Sequence, residues 1–239
     1  MDISQSWLVK INIAHRGLHN EKLPENSIGA FLNAARNGFA IELDVRPAAD
    51  GSVVVFHDEG LGRMTGADGY IANLDYGALK GLRLLKSDER IPLLAEVLEA
   101  VKGQAPLLIE IKNPHKIGSL EQSVIDILDG YTGETAVQSF NPYSMEYFKN
   151  NAPQIPRGQL SSYFKNSDMS RIKKYILKRL LLNKYSRPDF IAYEFSCLPN
   201  RWVYKAEVPV LAWTIRSEAD YEYVKDFCDN IIFENFLPK

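Results

Sequence analysis

The stretch Ala40-Ile41-Glu42-Leu43-Asp44-Val45, followed across Ala48-Ala49-Asp50-Gly51 by Val53-Val54-Val55-Phe56-His57-Asp58, sets two carboxylates into one apolar run and a histidine at the end of the next. A strand alternates its side chains between two faces, so Glu42 and Asp44 share one face while Ile41, Leu43 and Val45 take the other. Like charges so placed repel and need a cation between them or a shared proton, and oxygen donors of this kind suit a hard divalent ion. The segment Leu108-Ile109-Glu110-Ile111-Lys112 repeats the pattern, with Glu110 and Lys112 two apart on one face. Apolar residues on both faces are the mark of a strand in a parallel sheet covered on both sides. A charge turned inward there is costly unless it is paired or bound to an ion, so Glu110 reads as a third carboxylate beside Glu42 and Asp44.

Working outward, apolar runs recur at 11–14, 40–45, 107–111, 135–139, 157–160, 190–194, 208–214 and 230–234. Between them lie amphipathic stretches with apolar residues recurring at three and four, at 27–37, 93–101, 120–128, 143–150, 169–182 and 218–227. Strand and helix alternating eight times predict an α/β protein of the (β/α)8 TIM-barrel class, and 239 residues fit one such domain spanning residues 1–239. One insertion, at about residues 46–91, breaks the rhythm. Val45 and Val53 are too close for a crossover helix, which predicts a hairpin after the second strand. The remainder, 60–90, reads as a long loop with one short helix around 75–79, a length that points to the site.

Composition narrows the function classes. An apolar content of 46% with 24% charged residues is that of a globular protein with a full core. A net charge of −2 speaks against a dedicated nucleic-acid binder. No apolar run approaches a membrane span, Met1–Lys10 lacks the features of a signal peptide, and Cys197 and Cys228 read as buried thiols, so a cytoplasmic protein is expected. The most basic stretch, 171–182, is helically amphipathic. It is expected to be an outer helix with its cations in solvent; contact with an anionic membrane surface ranks second. Oligomeric state is not legible in the sequence.

Six residues carry further chemistry in this pattern. A histidine side chain can give or take a proton near neutral pH, so His15 and His57 form a pair suited to proton transfer. Arg16 offers a planar fork of donors for phosphate oxygens and Lys112 a second phosphate-neutralising charge. Asn26 reads either as the N-cap of the helix that follows or, with Glu25, as a residue that orders the site. His19 and His115 lie in polar loop contexts and read as bystanders.

The runs His15-Arg16-Gly17, Pro24-Glu25-Asn26-Ser27, Glu42-x-Asp44-Val45, Asp50-Gly51 to His57-Asp58, Leu61-Gly62-Arg63-Met64-Thr65-Gly66, Ile91-Pro92 to Leu98, Glu110-Ile111-Lys112, Ser139-Phe140-Asn141 and Ala212-Trp213-Thr214-Ile215 together resemble the glycerophosphodiester phosphodiesterase family. The likeness is dense in the first half and thin between about 150 and 205. It implies a metal-dependent phosphodiesterase that cleaves a small-molecule glycerophosphodiester to sn-glycerol 3-phosphate and an alcohol. It further implies that His15 and His57 act as general acid and base, that Glu42, Asp44 and Glu110 hold Mg²⁺, Ca²⁺ or Mn²⁺, and that Trp213 lines the pocket beside the glycerol or head group; the rival for Trp213 is a large core residue. Two positions depart from the pattern: Arg216 stands where the family usually has Asn after the Trp-Thr strand, and Phe233-Glu234-Asn235-Phe236 replaces its closing Thr-Asp-x-Pro. Two alternatives remain on the sequence, a lysophospholipase D-like phosphodiesterase and a non-catalytic module that binds phosphodiesters or a membrane surface.

Overall fold

A computed structural model describes residues 3–113, 116–165 and 167–238. The strands are β1 (Ile13–Ala14), β2 (Ala40–Pro47), β3 (Val53–Val55), β4 (Leu107–Ile111), β5 (Thr135–Ser139), β6 (Arg157–Ser161), β7 (Phe190–Glu194), β8 (Val210–Ile215) and β9 (Asn230–Phe233). Helices separate most of them, and the fold class is the (β/α)8 barrel with one added strand, β3. Contacts divide the chain into two units, residues 14–135 and residues 1–13 with 136–239.

In the first unit β2 pairs in parallel with β4, which sets Glu42 against Leu108 and Asp44 against Glu110. All of Ala40–Val45 and Leu107–Ile111 is buried, as the double-faced apolar pattern requires. β3 returns antiparallel on β2, with Val45 opposite Val55, through a turn in which Gly51 takes φ +82°. That is the expected hairpin. Helix Ile28–Arg36 follows Ser27, whose side chain accepts from the Ala30 N–H as its N-cap. This decides the reading of Asn26, which is not the cap.

The insertion is more ordered than a loop. Short helices span Gly62–Thr65 and Tyr76–Leu79 with a 3₁₀ turn at Ile71–Asn73, over a small core of Val54, Phe56, Leu61, Met64, Ile71 and Leu79. Each piece is a single turn, too short to leave a helical period in the sequence.

In the second unit β5, β6, β7, β8 and β9 pair in parallel in that order. The expected first strand over 11–14 shortens to Ile13–Ala14, preceded by helix Trp7–Lys10; the Asn230 side-chain amide donates to the carbonyls of Leu8 and Ile11, fastening that helix to β9. The helix expected over 169–182 is Arg171–Lys178, with Leu180 left-handed (φ +57°) and a separate turn at Asn183–Ser186. Cys197 and Cys228 are free, Cys197 buried and Cys228 half-buried, which matches the expectation fully for the first thiol and only in part for the second. Among the described residues no helix is long and apolar enough to cross a membrane.

Candidate active site

The unit of residues 14–135 gathers nearly every residue singled out from the sequence. Glu42 and Asp44 on β2 and Glu110 on β4 are buried at 1%, 0% and 7% exposure. One oxygen from each lies within 4.8 Å of the others. Lys112 Nζ stands 2.7 Å from Glu110 Oε1 and 3.2 Å from Asp44 Oδ1. The cations do not satisfy every oxygen: Glu42 Oε1 is buried without a hydrogen-bond partner.

The His-Arg-Gly turn after β1 brings a second cation. Arg16 lies in the left-handed region (φ +56°), which costs a non-glycine residue about 1–2 kcal/mol. In that conformation its backbone N–H donates to Glu42 Oε2 at 2.9 Å, while its guanidinium donates to Glu25 Oε1 at 2.8 Å and lies 3.3 Å from Asp44 Oδ2. Gly17 continues the turn at φ +79°, and a Cβ there would come within 2.9 Å of Ala30 and Phe31; only glycine fits. Asn26, also left-handed (φ +57°), is buried and clamps Asp44 twice. Its Nδ2 donates to Asp44 Oδ2 at 2.8 Å, and the Asp44 backbone N–H donates to its Oδ1 at 3.2 Å.

Sequence reasoning left Arg63 and Asp58 without roles, and the structure gives both a place. His57 Nδ1 lies 2.6 Å from Asp58 Oδ1. Arg63 donates to both oxygens of Asp58, at 2.6 and 3.0 Å, and to both of Glu25, at 2.8 and 2.7 Å. A chain of alternating charge therefore runs from His57 through Asp58, Arg63, Glu25 and Arg16 to Asp44. The available signal was the Leu61-Gly62-Arg63 motif, which names no partner. Arg46 Nε also donates to the His57 carbonyl at 2.8 Å. His15 follows β1, half-buried and near enough for its charge to act on Asp44.

These contacts set the protonation states. Burial, reinforced by the charges of Asp44 and Glu110, raises the Glu42 carboxyl well above its ordinary value. Burial opposes the charge on Asp44 as well, but Lys112, His57 and Arg16 together hold it far below the carboxylate range. Lys112 is held above its usual value by Asp44 and Glu110 despite its burial. Burial pushes the His57 imidazole down, with Asp44 working against it. At Asp58 burial is outweighed by the hydrogen bonds from Arg63 and His57, and its pKa falls to about 2.

A buried carboxylate triad with an arginine, a lysine and an oriented histidine around it places donors suited to phosphate oxygens beside an acidic cluster. Known proteins share both the motifs and the fold. The model of the "Glycerophosphoryl diester phosphodiesterase family" matches residues 15–235. The chain belongs to that family. It is an enzyme of the phosphoric diester hydrolase class. The glycerophosphodiester phosphodiesterase of Caldanaerobacter subterraneus subsp. tengcongensis is 37% identical over 93% of this chain and 93% of its own. Among solved structures, a phosphodiesterase of Oleispira antarctica, in complex with the product sn-glycerol-3-phosphate, is 24% identical, with a TM-score of 0.79 over 96% of this chain and 95% of that one. The glycerophosphodiester phosphodiesterase of Thermotoga maritima is 25% identical, with a TM-score of 0.72 over 93% and 94%. The resemblance and the barrel fold expected from the sequence are both borne out.

The family's later motifs fall in the second unit. Trp213 on β8 stands edge-on to Phe140, ring centroids 5.5 Å apart, and Phe140 packs in the same way on Phe164 at 5.9 Å. The Trp213 indole Nε1 is buried without a hydrogen-bond partner. The two departures from the family pattern meet each other: Arg216 Nε lies 2.6 Å from Glu234 Oε1. His19 sits half-buried in the loop after Gly17, its backbone N–H on the Gly17 carbonyl, and His115 lies outside the described residues.

Proposed function

We propose that this chain hydrolyses glycerophosphodiesters to sn-glycerol 3-phosphate and an alcohol, acting over its length as one catalytic domain. The observation that carries the reading is the buried triad of Glu42, Asp44 and Glu110 with Lys112 and Arg16 ion-paired onto it. The family match over residues 15–235 supports the single domain. The activity named for the Caldanaerobacter relative and the product in the Oleispira structure support the substrate class.

Three carboxylates this close are read as the seat of a divalent cation, Mg²⁺, Ca²⁺ or Mn²⁺. Their fit to one rests on the buried Glu42 Oε1, which no hydrogen bond or ion pair satisfies, and on the all-oxygen donor set. When bound, such a cation polarises a phosphoryl oxygen and lowers the pKa of the attacking hydroxyl. Arg16 and Lys112 bind the remaining phosphate oxygens through charge-assisted hydrogen bonds. Asp58 orients the His57 ring through Nδ1, which leaves Nε2 to exchange the proton. One imidazole of the His15 and His57 pair takes the proton from the attacking oxygen, either the neighbouring glycerol hydroxyl or a water. The P–O bond to the alcohol breaks, and the other imidazole protonates the departing alkoxide. Attack by the glycerol hydroxyl leaves a cyclic phosphate, which water then opens. Glu25 and Asn26 support the site, the first by holding Arg16 and Arg63, the second by holding Asp44. As the family resemblance implies, Trp213 lines the pocket beside the glycerol or head group, and the free thiols fit a reducing, cytoplasmic setting.

A panel of glycerophosphocholine, glycerophosphoethanolamine, glycerophosphoglycerol and lysophosphatidylcholine tests the reading. Glycerol phosphate release from the first three is expected. Turnover of lysophosphatidylcholine alone selects the lysophospholipase D reading, and turnover of none overturns both.

A further inference from the structure

Helix Arg171–Lys178 has no buried residue. Helix Leu94–Val101, of equal length, buries Leu94, Val97, Leu98 and Val101, as an outer barrel helix does. The amphipathic pattern of 171–178 is thus not spent on the core. Its apolar residues Ile172, Ile176 and Leu177, together with Phe140 and Phe164, line an open groove of about 520 Å³. Ile172 is 74% exposed, and Tyr143, Tyr163, Tyr175 and Leu181 are each exposed at 40% or more.

The charge of the surrounding segment is one-sided. Residues 169–188 hold seven cations, Arg171, Lys173, Lys174, Lys178, Arg179, Lys184 and Arg187, and no acid, in a chain whose net charge is −2. No carboxylate among the described residues pairs with Lys173 or Lys174. Lys178 lies 5.7 Å from the centre of the Tyr163 ring, and Arg179 lies over Tyr175 and Trp202 at 3.9 and 4.9 Å. A helix with a basic face, exposed aliphatic and aromatic side chains and cations that run along rings has the makeup of one that lies in the headgroup layer of a membrane.

We infer that Arg171–Lys178 and its flanking tyrosines form a docking surface for an anionic phospholipid bilayer. The positive charge selects the anionic headgroups, and Ile172 and the tyrosines enter the interface. The surface shares no residue with those assigned to phosphodiester cleavage, and its binding is read without turnover.

The experiment is sedimentation of the full chain with vesicles of phosphatidylcholine alone or with 30% phosphatidylglycerol, at low and high salt. Binding confined to the anionic vesicles and weakened by salt is expected. The variant Lys173→Gln/Lys174→Gln/Lys178→Gln is expected to bind about 100-fold more weakly, the conversion of about 1 kcal/mol per cation near the surface. Ile172→Asn should weaken binding while keeping the salt dependence. The exposed cations Lys22, Lys80 and Lys86, changed together to Gln, should leave binding within a few-fold of the parent. Both triple variants should keep the parent's circular dichroism and its turnover of soluble glycerophosphocholine. Equal binding to both kinds of vesicle, no binding to either, an equal loss in the two triple variants, or self-association of the parent that the Lys173 set abolishes while vesicles do not bind, would each overturn the inference.

Discussion

Asn26 gives the sharpest structural test, because its neutral amide clamps the carboxylate of the triad that is held most firmly ionised. Asn26→Ala removes the bond from Nδ2 to Asp44 Oδ2, which is 2.8 Å long and worth about 1.5–3 kcal/mol because its acceptor is ionised. It also strands the buried Asp44 backbone N–H, now 3.2 Å from Asn26 Oδ1, at a cost of about 1–2 kcal/mol. Alanine at φ +57° adds about 1 kcal/mol that asparagine partly escapes. The sum is roughly 5 kcal/mol, a large share of a domain's 5–15 kcal/mol. Urea unfolding in chelator reads it as a fall in midpoint at unchanged slope. Asn26→Asp refines the test. It keeps the acceptor for the Asp44 N–H but sets a second carboxyl at 2.8 Å from Asp44 Oδ2, so the introduced group has a raised folded pKa. Its stability relative to the parent is therefore retained below the unfolded pKa of about 4 and lost as pH rises through the folded value, with a ceiling near 5–6 kcal/mol at pH 8 set by the cost of keeping the proton on. A loss under 1 kcal/mol for Asn26→Ala, or no pH dependence for Asn26→Asp, refutes the clamp.

His15→Ala and His57→Ala should each lower kcat by about 10²- to 10⁴-fold with the fold intact by circular dichroism; unfolding in place of a clean kinetic loss would make them packing residues. Arg63→Gln should raise the Asp58 pKa from about 2 toward its ordinary value of about 4, followed by carboxyl NMR titration. Because the folded pKa of Asp58 is depressed, its contribution to stability is present above about pH 4 and is lost as pH falls toward 2, so Arg63→Gln should flatten the stability curve of the parent over that window. An unchanged Asp58 titration removes Arg63 from the charge chain. Since burial pushes His57 below its ordinary value, a proton-accepting His57 should place the acid limb of kcat/KM below about 6.5; a limb well above that value contradicts the assignment.

The pairing of Glu42 with Asp44 was legible because strand alternation is a strict rule of period two, and β2 and β4 then had one register that buried all five of Leu107–Ile111. The hairpin was legible for the same kind of reason, from the short span between Val45 and Val53. The order inside 46–91 was not, because its core is built from single turns whose apolar residues, Leu61, Met64, Ile71 and Leu79, are too widely and unevenly spaced to show a period. Residue chemistry alone left Asn26 divided between capping and ordering; the choice fell to Ser27, one residue on, whose hydroxyl reaches Ala30. Arg63 could be quoted as part of a motif but not paired, since Glu25 is 38 residues away and no local pattern ties them. At 171–182 amphipathicity was legible and the fate of its apolar stripe was not: periodicity reports that a helix has such a stripe, while only packing reports whether the core takes it, and no residue of Arg171–Lys178 is buried.

Turnover of glycerophosphocholine by chelator-stripped protein, followed by glycerol phosphate release as Mg²⁺, Mn²⁺ or Ca²⁺ is titrated back, tests the central claim most directly. Three buried carboxylates within 4.8 Å are expected to leave the stripped enzyme without turnover and to restore it saturably with at least one of these ions, and Glu42→Gln with Glu110→Gln should abolish the restoration. Full turnover at nil metal content would contradict the account.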